Sequence, residues 1–155
     1  MELNKINSLV ELFFKKYKEQ NFKSNNPFLK CLRREKEDFL TWDQVEKKIR
    51  ILSEYLKNNL STGDRCVLLS ENRPEWLIVD IAIMNAGGVT VPLFTTYSEK
   101  DYEYILKDCK PKICIVSNDT QFKKIKKFVS SVTKVLSIEN FNQKIDNFES
   151  IIERL

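Results

Sequence analysis

From Asp64 to Ile138 short, continuous apolar runs alternate with stretches of three- and four-residue apolar spacing, and that alternation leaves the chain very few folds to adopt. The runs are Arg65–Ser70, Val89–Phe94, Lys112–Val116 and Lys134–Ile138. Between them Pro74–Ala86, the segment opened by Ser98 and Asp101, and Asp119–Ser131 carry helical spacing. Strands covered on both faces read as unbroken apolar runs, and helices that join such strands make right-handed crossovers in a parallel sheet. The expected fold is therefore α/β: a Rossmann-like parallel sheet flanked by helices, with residues 64–138 as its βαβαβαβ core. Pro74 stands where a helix tolerates proline, in the first turn. The stretch Trp76–Met84 is apolar nearly all round, which predicts the most buried of the crossovers.

Upstream, Leu3, Ile6, Leu9, Val10, Phe13, Phe14 and Tyr17 share one helical face within Glu2–Glu19, giving an amphipathic helix over residues 1–20. Its apolar face is expected to pack on its own domain, with a lipid interface as the alternative. Phe28–Arg33 and Asp38–Trp42 predict a hairpin around the charged turn Arg34-Glu35-Lys36-Glu37. Thr41 and Gln44 have capping-box spacing and open a helix over Asp43–Asn59, with Val45, Ile49, Leu52, Leu56 and Leu60 inward. At the far end Phe141, Ile145, Phe148, Ile151, Ile152 and Leu155 suggest a helix whose apolar side expects a partner.

Residue types exclude several kinds of chemistry. The sequence has no His, which removes imidazole bases and imidazole metal ligands. Cys31, Cys66, Cys109 and Cys114 lack the spacing of a zinc knuckle or redox dithiol and are expected to be free thiols. The 26 Lys and Arg are interleaved with 22 Asp and Glu, so the net charge of +4 gives no nucleic-acid footprint. Lys123, Lys124, Lys126, Lys127 and Lys134 form a basic cluster, expected to be a solvated helix face. A weak peripheral membrane contact or the phosphates of coenzyme A are the alternatives for it. With no long apolar run and no cleavable leader at the start, the expected location is cytoplasmic.

Parallel sheets bind ligands beyond the C-terminal ends of their strands. That rule points to Ser70, Glu71, Asn72 and Arg73 after the first core strand and to Thr95, Thr96 and Tyr97 after the second, with Asn72, Arg73, Thr95 and Thr96 as the ligand-facing candidates. Each has a structural alternative: Asn72 as cap of the Trp76 helix, Arg73 as partner of a nearby carboxylate. Pro92 is expected to end or edge its strand. Gly63, Gly87 and Gly88 fit no dinucleotide or P-loop pattern and read as turn residues.

Five stretches in order carry a resemblance. They are Leu40-Thr41-Trp42, Gly63-Asp64-Arg65-Cys66-Val67, Glu71-Asn72-Arg73-Pro74-Glu75-Trp76, the Ala86–Leu93 run Ala-Gly-Gly-Val-Thr-Val-Pro-Leu, and Tyr104-Ile105-Leu106-Lys107-Asp108. Together, over roughly residues 39–120, they resemble the N-terminal region of long-chain acyl-CoA synthetases, AMP-forming ligases of the adenylate-forming superfamily. The resemblance implies a partial AMP-binding domain over residues 1–155 and an enzyme that activates a fatty acid with ATP and Mg2+, then passes the acyl group to coenzyme A. It also implies a Ser/Thr/Gly-rich phosphate loop, a magnesium-holding glutamate, a ribose-binding aspartate and a C-terminal lysine, and the sequence contains no stretch that matches them. The expectation is an N-terminal fragment, inactive alone, that binds none of these cofactors tightly and needs the remaining half of the adenylating domain. A stand-alone, non-catalytic binding or interaction module of the same fold is the alternative.

Overall fold

The computed structural model describes residues 6–20, 25–33, 36–131, 133–142 and 145–154. The first helix, α1, runs from Leu9 to Glu19, and the Ser8 hydroxyl accepts from the Glu11 N–H as its cap. Capping at Ser8 leaves Ile6 outside the helix, so the element starts later than its apolar spacing suggests; Leu3 lies outside the described residues. The hairpin follows as β1 (Pro27–Arg33) and β2 (Lys36–Thr41), paired antiparallel; Arg34 and Glu35 also lie outside the described residues. Helix α2 (Trp42–Lys57) opens with the expected reciprocal capping box of Thr41 and Gln44.

Five parallel strands then build one sheet: β3 (Arg65–Leu69), β4 (Val89–Leu93), β5 (Ile113–Val116), β6 (Lys134–Ser137) and β7 (Asp146–Asn147). Their spatial order is β4-β3-β5-β6-β7. Joining them are α3 (Pro74–Asn85), α4 (Glu99–Cys109) and α5 (Asp119–Ile125), and α6 (Phe148–Arg154) follows β7. Relabelled from β3, this order is the doubly wound 2-1-3-4-5 arrangement, whose switch point lies between β3 and β5.

Side chains alternate across the sheet and divide the core in two. Cys66, Leu68, Ile113, Ile115, Leu136 and Ile138 face the layer of α1, α2, α3 and α6. Val67, Leu69, Cys114 and Val116 face α4 and α5, where Tyr102, Leu106 and Ile125 are buried. Helix α3 buries Ile78, Val79, Ile81, Ala82 and Ile83, more than one side of it, because α2 covers it from behind while the sheet lies in front. Each of the Ile and Val side chains among them contributes about 1.5–3 kcal/mol by leaving water. The α1 face packs inward as expected: Phe13 lies 5.8 Å from Trp42 and 5.9 Å from Phe28, ring centre to ring centre.

Helix α3 ends in a paired-carbonyl motif that uses both glycines. The Gly87 N–H reaches the Met84 carbonyl at 3.0 Å and the Gly88 N–H reaches the Ile83 carbonyl at 2.9 Å. Gly87 adopts φ +86°, and a Cβ on Gly88 would stand 3.0 Å from the Ile83 Cγ2 atom. Pro92 lies on β4, the edge strand, as expected. The Val89 N–H donates to the Asp64 carbonyl of the neighbouring strand end, so by alternation position 92 turns its missing N–H away from β3.

Two expectations fail at the C-terminal end. Helical spacing extends to Ser131, but α5 stops at Ile125, where a turn folds Phe128 and Val129 back onto the core. The terminal apolar residues are not an unpartnered face: Phe148 and Ile151 are buried against α2, and Phe141 packs on Phe122. Among the described residues no helix is long and apolar enough to cross a membrane.

Candidate functional site

Loops Ser70–Arg73, Phe94–Ser98 and Ser117–Asn118 leave β3, β4 and β5 at the same end of the sheet, because the strands are parallel. A cleft of about 380 Å³ opens between the first two. Ser70, Glu71 and Asn72 line one side; Pro92, Leu93, Phe94, Thr95 and Thr96 line the other, with Trp76 of α3 completing a mainly apolar wall. A second cleft of about 340 Å³ lies between the hairpin residues Leu29, Lys30 and Cys31 and the start of α3 at Asn72, Arg73, Pro74 and Leu77. Asn72 borders both.

Of the four residues singled out from sequence, Asn72, Thr95 and Thr96 therefore share one cleft, while Arg73 belongs to the second. Asn72 is not the cap of α3. Arg73 is the N-cap residue, extended at φ -159° with no side-chain cap bond. Proline at the first helical position forces the preceding residue out of the helical region, which places the cap one residue later than expected.

Arg73 is committed to the structure. Its Nε donates to the Glu75 Oε2 at 2.8 Å and its Nη1 donates to the Glu139 Oε1 at 2.7 Å. Burial disfavours the charged guanidinium, but the two carboxylates outweigh it and hold the group charged. Because Glu139 follows β6, this pair ties the β3 loop across β5 to the far side of the sheet end.

At the switch point between β3 and β5 stands Glu71, whose Oε1 accepts from the Gln121 Nε2 at 2.6 Å. Partial burial pushes the Glu71 carboxyl up, yet Ser117, its own backbone N–H, Gln121 and Asn118 more than offset that and keep it below the usual glutamate range. The Gln121 Oε1 atom is buried without a partner among the described residues, and turning the amide over would set that oxygen against the carboxylate. The crevice that holds an anion in other folds of this strand order is thus filled by a carboxylate and an amide, and the open cleft lies one strand further out.

The loop after β4 is a four-residue turn. The Phe94 carbonyl accepts from the Tyr97 N–H at 3.2 Å and from the Tyr102 hydroxyl at 2.9 Å. The Thr95 carbonyl accepts from the Lys124 Nζ at 2.7 Å. Of the lysine cluster, Lys123, Lys126 and Lys127 are exposed, as expected of a solvated face. Lys123 pairs with Asp119, Lys127 with Glu99 and Lys134 of β6 with Asp146 of the adjacent β7, while Lys124 turns inward. Trp76, Phe94, Gln121 and Lys124 are contributions that hydropathy spacing did not single out, because each depends on which loop an adjacent strand brings near.

Comparison with known proteins fixes the family. A family model described as AMP-binding enzyme matches residues 18–151. The chain belongs to the AMP-binding enzyme family. Among its relatives, the long-chain-fatty-acid–CoA ligase FadD15 of Mycobacterium bovis is 33% identical over 73 residues, which are 47% of this chain and 12% of that protein. The long-chain-fatty-acid–CoA ligase ACSBG2 of Gallus gallus is 32% identical over 99 residues, 64% of this chain and 11% of that protein. The chain thus spans only a small part of the curated relatives it matches. Solved structures agree on the fold: the luciferase-like enzyme from the mealworm Zophobas morio gives a TM-score of 0.80 at 19% identity over 98% of this chain and 35% of that one. The anthranilate CoA ligase AuaEII, solved with anthranoyl-AMP, gives 0.76 at 21% identity over 94% of this chain and 27% of that one.

Family membership implies ATP and Mg2+, and the switch point of this AMP-binding-family chain does not fit the phosphates of ATP. Phosphate needs converging N–H or cationic donors, whereas the switch point presents a carboxylate and an unpartnered carbonyl oxygen. Gly63 and Gly87 precede β3 and β4, at the opposite end of the strands from the cleft. Among the described residues no three acidic or thiol groups come together as a metal site.

Proposed function

We propose that this chain is the N-terminal subdomain of an AMP-forming long-chain fatty acid:CoA ligase, supplying one wall of an acyl site and no catalytic group. The observation that carries this reading is the composition of the cleft between the β3 and β4 loops: Trp76, Pro92, Leu93 and Phe94 form an apolar wall, and Ser70, Glu71, Asn72, Thr95 and Thr96 supply its polar lining. Such a surface suits an apolar chain ending in a polar head. Phe94 is 69% exposed, so the wall is open on the side where the remainder of an adenylating domain would close it. Relatives named as long-chain-fatty-acid–CoA ligases support the substrate class. In this reading ATP, Mg2+ and coenzyme A are engaged by parts of the ligase outside these residues. Arg73 keeps the loop in place instead of touching ligand.

Trp76 provides a reporter. In a Trp42→Phe background, octanoate added to the chain is expected to shift Trp76 emission in a saturable way, and Phe94→Asp is expected to abolish the shift. ATP with magnesium is expected to leave emission unchanged. Emission indifferent to octanoate at every soluble concentration would contradict the acyl-wall reading.

A further inference from the structure

We infer that Lys124 fixes the central peptide of the Phe94–Tyr97 turn so that the Thr96 N–H faces the cleft as a donor to the carboxylate or carbonyl oxygen of an acyl ligand. The inference rests on the acyl-wall reading and adds to it the group that would hold the polar head.

In a four-residue turn the peptide between the two central residues is the one whose rotation interconverts turn types, so its orientation must be set from outside the turn. Here the central peptide joins Thr95 to Thr96, and its carbonyl accepts from the Lys124 ammonium at 2.7 Å. No peptide bond in the described residues is cis, so the Thr96 N–H points opposite to the Thr95 carbonyl, away from α5. Thr95 and Thr96 both line the cleft, whose far wall is Trp76 on the other layer of the fold. Among the described residues the Thr96 N–H donates to no acceptor, whereas the carbonyl before it and the N–H after it are both engaged. An ammonium on a peptide carbonyl polarises the whole amide and strengthens its N–H as a donor. A partly buried lysine aimed at a backbone carbonyl also sets Lys124 apart from Lys123 and Lys127, which meet carboxylates. The Tyr102 hydroxyl, on the Phe94 carbonyl, holds the base of the same turn.

Lys124 is in this account a positioning residue, and Thr96 the contact. The test compares wild type with Lys124→Met and Lys124→Arg, and adds Tyr102→Phe as a second variant that loosens the turn without touching the lysine. The Thr96 amide is followed by NMR while octanoate is titrated, with Trp76 emission recorded in parallel. The expected result is a downfield move of the Thr96 amide proton in wild type and in Lys124→Arg. In Lys124→Met that move is lost and octanoate binds about tenfold more weakly. Tyr102→Phe is expected to speed amide exchange across Phe94–Tyr97 while leaving β3 and β5 unchanged. A Trp76 response without any movement of the Thr96 amide would overturn this inference and leave the acyl wall standing. An equal Thr96 response in Lys124→Met would overturn the role of the lysine. Silence of both probes would refute the acyl wall and this inference with it.

Discussion

Glu71 and Arg73 lie two residues apart at the same strand end, yet their surroundings give them opposite duties. Arg73 is held between Glu75 and Glu139 with its side chain only 9% exposed, so it spans loops. Glu71 keeps its charge at the switch point because neighbouring donors outweigh its partial burial. A carboxyl whose folded-state value lies below the ordinary one stabilises the fold at higher pH and loses that contribution as pH falls through the folded value. Glu71 therefore contributes fully above its ordinary value of 4.5, and the contribution is lost progressively as pH falls below 4.5 through the lower folded-state value. Urea midpoints measured near neutrality and again below pH 4.5 should drop more for wild type than for Glu71→Gln, which has no charge to lose. Equal drops would show that Glu71 is not held down in the fold. Sequence reasoning reached Asn72, Thr95 and Thr96 through the strand-end rule. Its alternative for Arg73, a nearby carboxylate as partner, is met by Glu75, whereas the second partner, Glu139, stands 66 positions away and was not legible.

At the scale of elements, the strands and helices of residues 64–138 were legible because unbroken apolar runs for strands buried on both faces alternate with helical spacing. The capping box of α2 was legible because its two side chains are three residues apart. What escaped was set by neighbours: β7 is two residues long and too short for any period, and α5 ends where Phe128 and Val129 find core contacts by turning back. The α3 terminus offers the sharpest test at this scale. Alanine at Gly87 would force a Cβ into a left-handed conformation and against the Thr62 Oγ1 at 3.3 Å. Gly87→Ala is expected to cost about 1–2 kcal/mol by urea denaturation with an unchanged slope. A cost near zero would mean that the paired-carbonyl end of α3 is not what fixes the step into β4.

For the whole molecule, the sheet, its two helical layers and the AMP-binding family agree, while the switch point between β3 and β5 holds a carboxylate and an amide. The cleft has an apolar wall and an open side; the crevice where an anion would sit is filled by Glu71 and Gln121. On the proposed acyl-wall reading, such a subdomain would shape a substrate and leave the activation of its carboxylate to groups outside these residues. ATP–pyrophosphate exchange measures that activation directly. It should be run with magnesium and a panel of medium and long fatty acids, comparing the 155-residue chain with the same chain joined to the downstream portion of a long-chain ligase. The account predicts no exchange from the 155-residue chain and fatty-acid-dependent exchange from the joined protein. Exchange catalysed by the chain alone would contradict it.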